Sequence, residues 1–272
     1  MRVCILVFGA GRCALIPTEH DAAKFAGRLR PLQYNNLLSC ASRVQNPKLL
    51  IVTATRVAPS PFVEGTPLGR SMRRLSFDRR LEARPSFNNR AGLPAVYNRQ
   101  ISEENREKYL LFVHDDVWID DCFVYDRVRE ALEVFDVVGL AGNTRRVPGQ
   151  PAWGFASADP FIPEDRRYLS GVVADGEKPW GKPSRYGPPG LECRMLDGVF
   201  LAARCQTLLD SKVRFDERFG FDFYDIDFCR SVESAGLRMG TWPIAITHAS
   251  IGKFGSPEWR AALEAYRQKW KD

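Results

Sequence analysis

The sequence predicts an α/β fold, because short apolar runs alternate with segments that have helical spacing. Apolar runs that suit buried strands occur at residues 3–8, 49–53 and 109–113. Residues 19–29 and 124–135 carry apolar side chains at the spacing of one helix face. Strands and helices in alternation are typical of a sheet covered by helices. We therefore expect an open α/β sheet.

The composition is that of a folded protein and excludes a disordered one. Of the 272 residues, 44% are hydrophobic and 26% are charged. A chain of this length commonly forms one extended core, so we expect a single domain over residues 1–272. The run at residues 3–8 is too short to cross a bilayer and lacks the flanking features of a signal peptide, so we expect a cytoplasmic location.

The cysteines stand singly and form no CxxC pair, which argues against a disulfide framework and a structural zinc site. We expect reduced thiols, mostly in the core. The seven cysteines are Cys4, Cys13, Cys40, Cys122, Cys193, Cys205 and Cys229.

Much of the net charge of +6 comes from one arginine cluster within a segment rich in proline and glycine, residues 56–84. We expect this segment to be a long or irregular loop. A solvated charged surface is one interpretation of the cluster, and contact with a phosphate or an anionic membrane surface is the other. The arginines are Arg70, Arg73, Arg74, Arg79, Arg80 and Arg84.

The rest of the chain continues the alternation. We expect loops with short strands over residues 144–191, which are rich in proline, glycine and aromatic residues. Further strands are predicted at residues 137–142, 199–203 and 239–246, and further helices at residues 95–104, 219–233 and 257–271.

Three ionisable residues, His114-Asp115-Asp116, directly follow the apolar run 109–113. Burial of such a cluster without partners is costly, and a simple turn does not need it. Ligands of open α/β sheets bind beyond the carboxyl ends of strands, where this cluster is expected. Carboxylate oxygens suit Mn²⁺ or Mg²⁺, and such an ion neutralises a departing phosphate. A capped turn is the alternative interpretation.

A second acidic cluster, Asp222, Asp225 and Asp227, stands among aromatic residues at the start of a predicted helix. Capping and the helix dipole favour acids there and explain part of the cluster. Three acids are more than a helix cap requires, which indicates that one carboxylate removes a proton from a hydroxyl. Its apolar neighbours would raise the carboxyl pKa toward the value that a general base needs. His248 follows the last predicted strand, where a structural role and metal ligation are both open.

Four segments in this order resemble the motifs of family 2 glycosyltransferases, closest to the streptomycin-biosynthesis-type branch. They are LFVHDDV at residues 111–117, MLDGVFLA at 195–202, FDERF with YDIDFCR at 215–230, and THAS at 247–250. The resemblance extends over residues 88–248. It implies a GT-A fold, with a Rossmann-like, mixed and mostly parallel sheet flanked by helices. Residues 1–121 would form the nucleotide-sugar-binding half, and residues 122–272 the acceptor-binding half with the catalytic carboxylates.

The same resemblance implies metal-dependent, inverting transfer of a sugar from a nucleotide diphosphate sugar to an acceptor hydroxyl. Asp116 would be the last carboxylate of a DxD-like motif and would bind Mn²⁺ or Mg²⁺ together with His248. His114 and Asp115 would assist in binding the donor diphosphate. A UDP-sugar is the default donor, with guanosine and thymidine diphosphates open.

On the acceptor side, Asp225 would be the catalytic base, and Asp197, Gly198 and Asp227 would contact substrate. Tyr224 stands where the family has the glutamate of its Glu-Asp pair, which leaves Asp222 and Asp227 open as alternative bases. The acceptor would be a carbohydrate or a lipid-linked sugar, with peripheral membrane contact an open question. No nucleic-acid-binding motif surrounds the arginine cluster, so we expect no nucleic acid partner.

Two alternatives belong to other classes of protein. The tyrosine at position 224 suits a catalytically inactive sugar- or nucleotide-binding protein as well as an enzyme. The turn Gly9-Ala10-Gly11 with Ala14 fits GxGxxA, which suits an NAD(P)-dependent oxidoreductase if a helix follows it. That motif also expects an acid after the second strand, and residues 49–55 contain none.

Overall fold

The computed structural model describes residues 5–9, 12–16, 47–250 and 254–271, and the chain divides into two compact units, Met1–Asn46 and Pro47–Asp272. In the smaller unit, β1 (Ile5–Gly9) pairs antiparallel with β2 (Arg12–Ile16). A GxGxxA motif needs a helix where β2 lies, so the oxidoreductase hypothesis is contradicted. The predicted helix at residues 19–29 lies outside the described residues.

The larger unit is built on a mixed sheet of six strands. They are β3 (Leu49–Ala54), β4 (Leu81–Ser86), β5 (Tyr109–Val113), β7 (Val137–Gly139), β14 (Phe200–Arg204) and β15 (Met239–Thr241), in the order β15-β7-β14-β5-β3-β4. β14 is antiparallel to both of its neighbours, and the other three pairs are parallel. The predicted α/β class with a mixed, mostly parallel sheet is therefore confirmed.

Both faces of this sheet are buried, which explains why its strands are continuously apolar rather than alternating. Alternate residues of β3 and β5 belong to two hydrophobic clusters. Leu50, Val52, Leu110 and Phe112 belong to one of them, and Leu49, Ile51, Leu111 and Val113 to the other.

Smaller strands form a second sheet and a hairpin. The second sheet has the order β13-β8-β11-β16-β6, and β12 pairs with β11. Its strands are β6 (Val117–Ile119), β8 (Ala141–Asn143), β11 (Leu169–Asp175), β12 (Lys182–Arg185), β13 (Met195–Leu196) and β16 (Ile246–His248), and the hairpin is β9 (Phe155–Ala158) with β10 (Phe161–Pro163). The single strand predicted over residues 239–246 is wrong, because β15 and β16 belong to different sheets. Pro243, which has no N–H to donate, lies between them.

Seven helices are found in the part of the chain that the structure describes. They are α1 (Pro59–Gly65), α2 (Pro67–Arg74), α3 (Leu93–Gln100), α4 (Val124–Ala131), α5 (Cys205–Asp210), α6 (Tyr224–Ser234) and α7 (Pro257–Trp270). No helix among the described residues is long and apolar enough to cross a membrane.

The expected loop over residues 56–84 is wrong, because the segment folds as α1, α2 and β4. Pro59 and Pro67 stand in the first turns of the two helices, where proline costs no hydrogen bond. The Thr66 hydroxyl accepts a hydrogen bond from the Gly69 N–H and so caps α2. Here proline marks helix starts rather than a loop.

Several arginines of this segment are paired within the chain. Arg73 pairs with Glu64, and Arg84 pairs with Glu82. The Arg80 guanidinium binds both Asp78 and Asp126 at 2.8 Å. These pairs favour the interpretation as a charged surface, and contact with a membrane stays a prediction.

The last helix, α7, is held against α6 by one buried carboxylate. Asp227 has no exposed surface, and its oxygens lie 2.7 Å and 2.9 Å from the Lys269 Nζ atom. The Trp270 indole N–H donates to the same carboxylate at 2.8 Å, and Asp216 also contacts Lys269 at 2.8 Å. Asp227 therefore joins α6 to α7.

We expect Asp227→Ala to lower the free energy of unfolding by about 3 kcal/mol, since it removes a fully buried carboxylate that pairs with the partly exposed Lys269 ammonium. Urea denaturation measures the change. The control is Asp210→Ala, which removes an exposed partner of Arg106 and should leave the free energy of unfolding nearly unchanged, because solvent screens exposed ion pairs. Equal losses in the two variants would contradict a structural role for Asp227.

Candidate active site

Strand pairing brings four separate segments to one edge of the main sheet. His114 follows β5, and its N–H donates to the Val199 carbonyl at 3.4 Å, just before β14. Asp197 and Gly198 therefore lie beside the end of β5. His248 pairs with Val117 across the antiparallel β16–β6 ladder, and the Ala249 N–H donates to the Asp116 carbonyl at 3.0 Å. The start of α6 supplies the fourth segment.

His114, Asp116 and His248 form a group that could hold a metal ion, with one ligand atom from each within 4.8 Å of the others. The Ser250 hydroxyl donates to Oδ2 of Asp116 at 2.6 Å. Oδ1 of Asp116 lies 3.3 Å from His248 Nε2 without hydrogen-bond alignment, and it is buried with no hydrogen-bond partner. A buried carboxylate oxygen that has no hydrogen-bond partner is suited to binding a cation.

The electrostatics of this group favour an ionised Asp116. Burial raises the pKa of Asp116, but the His248 imidazole and the Ser250 hydroxyl outweigh burial and hold the pKa at about 2. Burial would lower the pKa of His248, yet the Asp116 carboxylate outweighs it and raises that pKa. For His114 burial dominates and lowers the pKa, which favours the neutral ring.

Asp225 is a second carboxylate of the site, and its pKa is shifted in the opposite direction to that of Asp116. Burial, and then the negative charge of Asp197, raise its pKa to about 7. Its oxygens accept hydrogen bonds from the Gly198 N–H at 3.0 Å and from the Ile226 N–H at 2.9 Å. A carboxylate with a pKa near neutrality, fixed in orientation by two backbone donors, is suited to general base catalysis.

Tyr224 connects the two parts of the site. Its hydroxyl donates to the Gly198 carbonyl at 2.8 Å and lies 2.9 Å from His114 Nε2. A Cβ atom on Gly198 would lie 2.3 Å from the tyrosine oxygen and 2.8 Å from the Asp225 Cβ. The approach of α6 to this strand end therefore requires glycine at position 198.

Asp197 is held by an aromatic residue of the segment 144–191. The Trp153 indole N–H donates to Asp197 Oδ2 at 2.7 Å, and the Val199 N–H donates to Oδ1 at 2.8 Å. The Trp153 ring meets the Tyr186 ring edge-on with centroids 4.7 Å apart. Phe221 is 63% exposed and stacks on His114 at 5.8 Å. Trp153 therefore lies beside Asp197, and Phe221 lies beside His114.

A groove of about 970 Å³ opens beside the metal-ligating group, at the carboxyl ends of β3, β4 and β5. Its volume is in the range of small-molecule sites. Asp115 lines it, together with Arg56 after β3 and Asn89 and Arg90 after β4. Asp222 also lines it, and burial, with Glu258 nearby, raises the pKa of Asp222.

The structure thus brings together His114, Asp115, Asp116, Asp197, Gly198, Asp225 and His248 and leaves out Asp227. The Asp227 carboxylate contacts Lys269 and Trp270, so the structure does not support the predicted contact with substrate. Asp225 and Asp227 are two positions apart on α6, so their side chains point in different directions. Helical periodicity alone predicts this difference. The sequence indicated no contact of Ser250 or Trp153 with the acids, and the two residues reach the acids only through the tertiary fold.

No protein-family model matches the chain, and no curated protein matches it. Similar solved structures include A197 from STIV, which is 12% identical with a TM-score of 0.42 over 71% of this chain and 81% of that chain. The mannosyltransferase PcManGT from Pyrobaculum calidifontis, solved with GDP-Man and Mn²⁺, is 12% identical with a TM-score of 0.46 over 93% of this chain and 74% of that chain. TarS 1-349 from S. aureus, solved with UDP, is 14% identical with a TM-score of 0.40 over 79% of this chain and 63% of that chain.

The raised pKa of Asp225 predicts a pH-dependent cost to stability. Above about pH 4 the unfolded carboxyl is ionised, whereas the folded one stays protonated up to about pH 7. The free energy of unfolding of the wild type should therefore fall relative to Asp225→Asn as pH rises through this window, by about 1.4 kcal/mol per pH unit. Denaturation of both proteins between pH 4 and 8 measures the difference.

Asp210→Asn is the control for that series. Arg106 lowers the pKa of Asp210, so its stabilisation is present above the unfolded pKa and is lost as pH falls. The difference between wild type and this variant should change with the opposite sign only below about pH 4, so it should stay constant between pH 4 and 8. A constant difference between the wild type and Asp225→Asn would show that the Asp225 pKa is ordinary.

Proposed function

We propose that this protein is a glycosyltransferase of the GT-A type in family 2, close to the streptomycin-biosynthesis-type branch. It transfers a sugar from a nucleotide diphosphate sugar to an acceptor hydroxyl. The observation that carries the proposal is the pair of unlike carboxylates at one sheet edge. Asp116 is ionised, with a buried oxygen beside two imidazoles, whereas the pKa of Asp225 is raised to about 7. Asp116 is suited to binding a cation, and Asp225 is suited to accepting a proton.

The groove beside Asp115 suits the nucleotide part of the donor, with a UDP-sugar the default. Its arginines, Arg56 and Arg90, offer cationic groups, and its position at strand carboxyl ends is where α/β sheets bind nucleotides. Asp116 and His248 would bind the cation, which supplies positive charge for the departing diphosphate. Two imidazoles in the donor set favour Mn²⁺ over Mg²⁺, which prefers oxygen ligands.

Asp225 is the residue that takes a proton from the acceptor. As the proton moves to the carboxylate, the acceptor oxygen forms a bond to the anomeric carbon. The bond from that carbon to the diphosphate oxygen breaks, and its electron pair leaves with the diphosphate. Attack from the face opposite the leaving group inverts the configuration. The backbone donors on both Asp225 oxygens orient the carboxylate for this step.

The surroundings of Asp197 suit a carbohydrate acceptor. Trp153 and Tyr186 near Asp197, and the exposed Phe221 beside His114, offer aromatic rings on which sugar rings stack. Asp197 and Gly198 would line this region, as the motif resemblance implies. We propose a carbohydrate or lipid-linked acceptor in the cytoplasm, with peripheral membrane contact as a further possibility to measure.

We expect one nucleotide sugar to raise the melting temperature only when Mn²⁺ is present, because a ligand held by the folded state alone stabilises it by about 2.7 kcal/mol at a hundred times Kd. The panel comprises UDP-, GDP-, TDP- and CDP-sugars, each with and without Mn²⁺. Asp116→Ala should abolish the shift, and Asp210→Ala, at the opposite end of β14, should keep it. Absence of any metal-dependent shift in the wild type would contradict the proposed donor class.

Asp225→Asn should keep donor binding and lower turnover by about 10²- to 10⁴-fold, the usual contribution of a general base. In the wild type, kcat/KM should rise with pH and level off above about pH 7, because the base acts when ionised. Product anomers are read by NMR, and retention of configuration would contradict single displacement. Donor binding without turnover in the wild type, across a panel of acceptors, would favour the inactive binding protein.

A further inference from the structure

The hydrogen bonds of the Tyr224 hydroxyl determine which nitrogen of His114 carries a proton. The hydroxyl has a single hydrogen, and the Gly198 carbonyl oxygen, 2.8 Å away, only accepts. Tyr224 therefore donates to Gly198. The contact of 2.9 Å with His114 Nε2 then requires that this nitrogen be the donor. The arrangement holds His114 as the Nε2–H tautomer.

A ring nitrogen that carries a proton does not bind a cation, whereas the other nitrogen of a neutral imidazole has a free lone pair. An imidazole of ordinary pKa, about 6.5, is neutral at pH 8. In the tautomer that Tyr224 imposes, the lone pair lies on Nδ1. His114 belongs to the group with Asp116 and His248, so a ring nitrogen of His114 lies near the ligand atoms of both. With Nε2 protonated, Nδ1 is the nitrogen through which His114 can bind the same ion.

We propose that His114 is the third protein ligand of the metal, through Nδ1, and that Tyr224 is the positioning residue that holds it in the required tautomer. This assignment rests on the proposed function for the presence of the ion, and it changes the expected role of His114 from diphosphate binding to metal ligation. It also gives a physical reason for tyrosine at position 224. Burial raises the pKa of the Tyr224 hydroxyl well above its ordinary value, so the hydroxyl keeps its proton.

The tautomer is tested directly in the metal-free protein at pH 8, by NMR of the full chain with ¹⁵N-labelled histidine. The chain has three histidines, so spectra of His20→Gln and His248→Gln assign the His114 resonances by difference. We expect the wild type to show a protonated Nε2 and an unprotonated Nδ1 at His114. A protonated Nδ1 would overturn the proposal, whatever the protein catalyses.

Metal binding is tested by titration with Mn²⁺, in which electron paramagnetic resonance reports the free ion. Tyr224→Phe should weaken Mn²⁺ binding by about 10- to 100-fold, the usual loss when the partner that orients a metal-bound histidine is removed. His114→Ala should weaken it as well. Unchanged or tighter Mn²⁺ binding in Tyr224→Phe would mean that Nε2 is the ligand or that His114 is none, and would overturn the proposal.

The matched control is Tyr125→Phe. The Tyr125 hydroxyl also donates to a backbone carbonyl, that of Pro47 at 2.7 Å, and the side chain is buried. It lies beside Tyr109, at the far end of β5 from His114, with ring centroids 6.1 Å apart. Its Mn²⁺ affinity should match the wild type, which separates a site effect from the loss of a buried hydroxyl.

Neither measurement uses a sugar donor, so the two proposals fail separately. If no nucleotide sugar binds but the tautomer and the Mn²⁺ affinities follow expectation, the metal-site assignment stands and the transferase proposal falls. If donor and Mn²⁺ bind and Tyr224→Phe leaves the Mn²⁺ affinity unchanged, the transferase proposal stands and Tyr224 has no positioning role.

Discussion

The antiparallel pairing of β14 with β5 is the constraint on which the site depends. In this register Phe200, the first residue of β14, lies opposite Val113, the last residue of β5. Asp197 and Gly198 are thereby brought beside His114. A parallel β14 would place the same residues at the other edge of the sheet, with the acids separated by the length of a strand. The direction of one strand thus determines whether the motifs meet.

Two carboxylates within this small site have pKa values displaced in opposite directions. The pKa of Asp116, which lies beside His248 and Ser250, is held at about 2. The pKa of Asp225 is raised to about 7 by burial and by the charge of Asp197. The difference follows from neighbours rather than from residue type, since both residues are aspartates. Such a division lets one group remain an anion at all physiological pH values while the other exchanges protons.

The sequence predicted β3, β5 and α7 almost to the residue, because their patterns are long, apolar and regular. It failed over residues 56–84, where proline and arginine were taken as loop features. Pro59 and Pro67 instead begin helices, and Arg80 finds a partner in Asp126, far along the chain. The partner of Asp227 is likewise Lys269 on another helix, which no local pattern contains. The sequence indicated candidate residues for the chemistry, but only packing shows which way their side chains face.

His114, Gly198 and Tyr224 come from three distant parts of the chain, yet one hydroxyl joins them. The tyrosine oxygen occupies the space of a side chain at position 198, and it has an acceptor role only if a ring N–H faces it. Among descendants of a common ancestor, loss of the hydroxyl at position 224 would leave a histidine at position 114 without the partner that determines its tautomer. Tyrosine at position 224 and histidine at position 114 should therefore covary, and the pair would mark a distinct lineage more sharply than any of the acidic residues.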